Sequence, residues 1–241
     1  MPLNIQWNNR STEAIVNELA IRRSALVSSR ELADVVGDAI GIPRESAQLH
    51  LKTIRAAGEI SFKGYGRAAA SMTALDASRL LIASVGSTFA KDSLEVLKRF
   101  SGLKPISPRR RATDTLEDFL AMRIEELIFD LPPPHDIGRS AAWQQSFGSR
   151  RPAENALQLL EPVGKGAEKL ARYAIVRWID QTGRSDVLIF GPAGNGTVRG
   201  TEISDLTERY SGHRLFQVRA VARAALIDIA AALKETSASL R

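Results

Sequence analysis

Three linked stretches decide the fold: Ser28-Ser-Arg-Glu31-Leu-Ala-Asp-Val-Val36, then Gly41-Ile-Pro43, then Arg44-Glu-Ser-Ala-Gln-Leu-His-Leu-Lys-Thr-Ile-Arg55. Ser28 and Glu31 have the spacing of a capping box, in which the serine hydroxyl accepts a backbone N–H and the glutamate reaches back. The helix they open carries Leu32, Val35, Val36, Ala39 and Ile40, at i, i+3, i+4, i+7 and i+8, a clean amphipathic stripe. Gly41 ends it and Pro43 suits the first turn of the next helix, which is expected to run to Ala57 with Gly58 as its stop.

On that second helix, 100° per residue places Ala47, Leu51 and Ile54 within an arc of about 60°, facing a core. Arg44, Gln48, Lys52 and Arg55 fall within an adjacent arc of about 80°, facing out, with Glu45 at its edge. These are the residue types that read base edges and phosphates: Arg for guanine, Gln for adenine, Glu for cytosine, Lys for phosphate. Beyond the helix, Glu59-Ile-Ser-Phe62 and Ala69-Ala-Ser-Met-Thr73 read as a pair of strands around Lys63-Gly-Tyr-Gly-Arg67. Two glycines make a pliable tip, while Lys63, Tyr65 and Arg67 offer charge and a stacking ring to a phosphate backbone or minor groove.

Taken in this order, the residues resemble the winged helix-turn-helix superfamily. Glu31-Leu-Ala-Asp-Val-Val36, Gly41-Ile-Pro43, Leu51-Lys-Thr-Ile-Arg-Ala-Ala-Gly-Glu-Ile60 and the basic hairpin carry the likeness, over about a third of the chain. The segment Lys63 to Ala77 is similar to N-terminal segments of uncharacterised proteins of alphaproteobacterial prophages and mobile elements. The resemblance implies a DNA-binding module, with Arg44, Glu45, Gln48, Lys52 and Arg55 on the recognition helix and Lys63, Tyr65 and Arg67 on the wing. The Ala-rich return strand departs from the pattern. Residues beyond about 110 resemble no family.

Working outward, Thr12 to Ser24 reads as a first helix with Ile15, Val16 and Leu19 on one face. Thr73 and Asp76 begin another, with Ala77, Leu80, Leu81 and Val85 inward. Ser101 to Ala112, with two prolines, a glycine and Arg109-Arg-Arg111, reads as a linker. Leu116 to Phe129 is a helix on Leu116, Phe119, Leu120, Ile124, Leu127 and Ile128, stopped by Pro132-Pro-Pro134. Residues 135–152 read as loop with a short helix around Trp143. Tyr173-Ala-Ile-Val-Arg-Trp-Ile179 and Asp186-Val-Leu-Ile-Phe190 flank a turn and read as a hairpin. A third strand is expected near Val198 to Ile203, and a closing helix from Phe216 to Lys234 on Val218, Val221, Ala222, Ala225, Leu226 and Ile229.

Charge follows the same division. The 241 residues carry a net +6; residues 1–112 hold 17 Lys/Arg against 10 Asp/Glu, and residues 113–241 hold 16 against 17. A basic half joined to a neutral half suits a polyanion-binding module attached to something else. The absence of cysteine excludes disulfides and thiolate zinc sites. No apolar run reaches membrane-span length and the N-terminal stretch lacks a signal-peptide core, so a cytoplasmic, nucleoid-associated bacterial protein is expected.

Several chemical-looking signals read as structure. Gly191-Pro-Ala-Gly-Asn-Gly-Thr197 spells a phosphate loop but lacks its Lys and following helix. His50, His135 and His213 are far apart and lack ligand spacing, so no metal is expected, and His50 reads as a boundary residue of its helix. Glu117/Asp118 and Glu125/Glu126 fit the solvated face of an amphipathic helix. No serine stands in a nucleophile elbow, so no enzyme and no cofactor is expected.

The expected fold is α+β and mostly helical. A winged helix-turn-helix covers 10–86, a connecting helix and linker 87–112, and C-terminal helices with a small antiparallel sheet 113–236. The expected function is sequence-specific transcriptional regulation by a homodimer on double-stranded DNA, with a small-molecule or protein effector at the C-terminal part. The rival is an interaction module that binds a protein and has no DNA specificity.

Overall fold

A computed structural model describes residues 27–61, 71–106, 115–130, 155–179, 185–192 and 216–238. The molecule is α+β. Among the described residues there are six α-helices: α1 (Ser29–Ile40), α2 (Arg44–Ala56), α3 (Ala74–Gly86), α4 (Ser93–Phe100), α5 (Leu116–Asp130) and α6 (Arg223–Ala238). Five strands, β1 (Lys104–Pro105), β2 (Asn155–Pro162), β3 (Tyr173–Ile179), β4 (Ser185–Gly191) and β5 (Phe216–Ala222), form one antiparallel sheet in the order β1-β4-β3-β2-β5. The helix expected at Thr12 to Ser24, the strand near Val198 to Ile203, the short helix near Trp143 and the wing tip lie outside the described residues.

α3 is the hub. The helix expected to begin at Thr73 and Asp76 is present, the two residues form a capping box at its start, and eleven of its thirteen residues are buried. An amphipathic helix has one wet face; α3 has none, because α1, α2, α4, α5 and α6 all pack on it. Gly86 closes the helix where α4 crosses: a Cβ there would lie 2.3 Å from Val96 Cγ1. α5 carries the packing on to the sheet. Its Phe119 ring meets Trp178 of β3 edge-on at 5.2 Å between centroids and Phe190 of β4 at 5.4 Å.

One hydrophobic core runs from Val27 to Leu233 through the helices and the helix-facing side of the sheet. Leu160, Tyr173, Ile175 and Ile189 bury the other side, with Ile106, Leu170 and Phe216 against them. The middle strands are therefore covered on both faces, and this explains why Tyr173 to Ile179 reads as an almost unbroken apolar run rather than an alternation. At the far end of β2, Glu161 accepts from Arg172 Nε (2.9 Å) and from Arg99 of α4, which ties the sheet to the helices.

Two expectations need correction. Phe216 to Ala222, read as the start of the closing helix, is strand β5, paired with β2 from Ala222↔Asn155 to Phe216↔Pro162; only Arg223–Ala238 is helical. The first half of the expected linker is built into the fold. Leu103 is buried and its carbonyl accepts from Leu116 N (2.9 Å), Lys104–Pro105 pair with β4, and Ile106 N donates to Ile189 O (2.9 Å). Apolar anchors at 103 and 106 outweigh the glycine and prolines beside them.

Candidate nucleic-acid interface

The α1–turn–α2 unit forms as its local signals dictate. Ser28 Oγ accepts from Glu31 N (3.2 Å) and Glu31 Oε2 from Ser28 N (2.8 Å), a complete capping box. Gly41 adopts φ 74°, where a side chain would be strained, and Gly41 N and Ile42 N return to Asp38 O and Gly37 O. Gly37 lets the two helices close: a Cβ on it would meet Ala47 Cβ at 3.1 Å. Ala47, His50, Leu51 and Ile54 of α2 are buried.

The outward side of α2 differs from the expected arc. Arg44 is exposed, but its guanidinium is bidentate on Asp38 of α1, Nε to Oδ1 at 2.9 Å and Nη2 to Oδ2 at 2.6 Å. The hydrogen bonds from Arg44 hold the Asp38 carboxyl below its usual range. Gln48 is half-buried and donates Nε2–H to Asp34 Oδ1 at 2.6 Å; Arg55, also half-buried, donates to Ser29 Oγ at 3.1 Å. Three of the five residues assigned to base reading are thus engaged by α1. Besides Arg44, the exposed residues of α2 are Glu45, Leu49, Lys52 and Ala56. A helical wheel fixes the phase of α2 but not which neighbour flanks its polar arc, and α1 supplies two aspartates and a serine on that side.

The segment carrying Lys63, Tyr65 and Arg67 lies outside the described residues; its base does not. The buried Asp76 carboxylate accepts Ser61 N at 2.9 Å on Oδ1, and Thr73 N and Thr73 Oγ1 at 2.9 Å on Oδ2. Residues 61 and 73 are therefore pinned to one side chain, and Met72 N donates to Val27 O (3.2 Å) at the entry to α1. Arg79, bidentate on Glu117, also donates to Glu59 O (2.9 Å), which locks the exit from α2 to α3 and α5.

His50 holds a junction that its sequence position did not reveal. It is buried, and its Nδ1 lies 2.6 Å from Ser93 Oγ of α4 and 3.3 Å from Ser87 Oγ. Ser93 donates its hydroxyl proton to Ala90 O (2.6 Å) and Ser87 donates its own to Ala83 O (2.7 Å). With each hydroxyl also beside a carbonyl oxygen, the arrangement suits a His50 that carries its hydrogen on Nδ1 and donates. Burial, and then the positive charge of Arg219, push the His50 pKa down. Arg219 reaches from β5 to the end of α3, donating to Val85 O (3.0 Å) and Thr88 Oγ1 (2.7 Å). No signal short of the tertiary packing links positions 50, 87, 93 and 219.

Among the described residues no group of three or more His, Asp or Glu side chains could hold a metal ion, and no helix is long and apolar enough to cross a membrane. Comparison with protein-family models, curated proteins and solved structures found no match to the chain.

Proposed function

We propose that the chain is a DNA-binding transcriptional regulator that acts at the nucleoid. Its α1–turn–α2 unit would be the helix-turn-helix and the segment 62–69 its wing. The observation that supports this reading is the shared anchor on Asp76: Ser61 N and Thr73 N both donate to its carboxylate, so the chain that leaves α2 and the chain that enters α3 meet at one side chain, as the two flanks of a wing would. Lys52 and Arg44 supply charge from α2, and Lys63, Tyr65 and Arg67 from the wing. Gln48 and Arg55 keep α2 aligned on α1 until DNA competes for them.

Duplex DNA binding measured across a salt series tests the reading. A DNA reader binds at about 50 mM salt and loses affinity linearly on a logarithmic salt axis, with a slope of about 0.9 for each phosphate contacted. Absence of binding at that salt would sink it.

A second reading has its own support. Leu49, at 55 % exposure, stands between Glu45 and Lys52 on the outer face of α2, and Phe89 is 62 % exposed just before α4. Large apolar side chains on a would-be phosphate-facing surface suit a module that docks a protein. Leu49→Ser separates the two: it would abolish protein capture and leave DNA affinity nearly unchanged.

A further inference from the structure

The end of α3 is capped by a side chain from the far end of the sequence. The last carbonyls of a helix lack partners in its own ladder. At α3, Ala83 O accepts from the Ser87 hydroxyl (2.7 Å), and Val85 O accepts from Nη1 of Arg219 on β5 (3.0 Å), which stands 134 positions later. A guanidinium suits this place, because the C-terminal end of a helix carries partial negative charge. Nη2 of the same group donates to Thr88 Oγ1 (2.7 Å), so Arg219 also holds the turn that leads to α4.

That turn is gripped from α2 as well. His50 is buried, with Nδ1 2.6 Å from Ser93 Oγ and 3.3 Å from Ser87 Oγ, and Ala90–Asp92 packs on α2. Ser87 serves both sides, since its hydroxyl closes α3 and faces His50. The charge of Arg219 reaches His50 too, where it adds to the effect of burial on the pKa. α2 and β5 thus hold one short segment, residues 85–93, by hydrogen bonds, which weaken steeply when bent.

We propose that residues 85–93 form a coupling joint through which β5 governs how firmly α2 is seated, with Arg219 as the positioning residue for His50. Linkage is reciprocal, so the seating of α2 steadies β5 by the same factor. A regulatory use, in which the sheet sets the readiness of a groove-entering helix, rests on the DNA reading of α2. The coupling itself is measured without DNA, so either can fail alone.

Backbone hydrogen exchange, read by mass spectrometry on the full chain at neutral pH, tests the joint. Arg219→Gln is expected to raise exchange in residues 44–56 about fivefold or more, the lower end of coupling between linked sites, and to leave 116–130 and 173–179 unchanged. His50→Gln is expected to raise exchange in 216–222 by a similar factor. Adding Arg219→Gln to His50→Gln is expected to loosen α2 no further, because the two act through one joint. Arg219→Lys, which keeps the charge, restores part of the protection. Thr88→Val removes one bond of the tie and gives the same pattern more weakly, should Arg219→Gln fail to fold. Val218→Ala perturbs β5 beside the tie and is expected to leave α2 unchanged. A rise confined to 85–93 and 216–222, as a purely local cap would give, overturns the proposal. So does an equal rise along the whole chain, or a Val218→Ala variant that loosens α2 as much as Arg219→Gln.

Discussion

Arg44, the first residue of α2, holds Asp38 of α1 through two hydrogen bonds of 2.9 and 2.6 Å, so the most prominent cation of the outer face is already paired with an anion. In the DNA reading this pair competes with phosphate. Asp38→Asn removes the competing charge and leaves the helices unchanged. Affinity for duplex DNA at low salt is expected to rise about fivefold, the scale of an exposed ion pair, with a steeper salt slope. Fluorescence anisotropy across a salt series reads both; an unchanged or weaker affinity would remove Arg44 from the interface.

Lys52 and Gln48 lie one turn apart on α2 and should behave differently. Lys52 is exposed, and Lys52→Ala is expected to flatten the salt slope by about 0.9 while leaving thermal stability alone. Gln48 is held by Asp34 at 2.6 Å, so Gln48→Ala is expected to cost about 1 kcal/mol of folding stability. If Gln48→Ala also relaxes preference at one base pair, Gln48 exchanges Asp34 for DNA on binding; urea melts and binding to a cognate duplex measure the two effects.

Burial of His50 beside Arg219 predicts the sign of a pH dependence of the fold. Its pKa is lowered from 6.5 in the folded state by burial and by Arg219, so the unfolded chain takes up the proton first. The stability that His50 contributes is complete above pH 6.5, falls as pH drops below that value, and is fully lost once pH passes the lowered folded pKa. His50→Asn, which retains a donor near the Nδ1 position, is expected to flatten the melting temperature between pH 6.5 and acid conditions. An identical profile in the variant would show that other groups set the acid limit.

Gly86 tests the close crossing of α3 and α4. Alanine is the better helix former by up to about 1 kcal/mol, but the added Cβ would sit 2.3 Å from Val96 Cγ1. Overpacking costs about 1–3 kcal/mol, so Gly86→Ala is expected to destabilise on balance. Val96→Ala makes room, and the double variant should be more stable than the sum of the single effects; additive losses in urea unfolding would mean that α4 shifts freely.

What could be read from the sequence was what is written within a few residues. The Ser28/Glu31 box, the helix start at Thr73 and the Gly41 turn depend on neighbours three or four positions away, the pairing of Tyr173–Ile179 with Ser185–Gly191 on strands adjacent in sequence, and all are present. Phe216 to Ala222 reads as helix because Val218, Val221, Ala222 and Ala225 satisfy the helical period, whereas the strand exists only through its pairing with β2, a strand hidden by Gln158, Glu161 and Pro162. The same limit applies at the candidate interface. Gln48 and Arg55 have the right phase for reading DNA, yet Asp34 and Ser29, on a different helix, decide where they point.

α1 packs against α6, with more than 180 residues of chain between them. At about 5–20 residues per second a ribosome needs on the order of ten seconds or more to travel that far. Throughout that interval the earliest described helix has no cover on the side that α6 will take. Synthesis therefore sets the schedule of folding: the first part of the core to be made is the last to be sealed, and any chain that stops short of residue 223 leaves that seam open to chaperones and proteases.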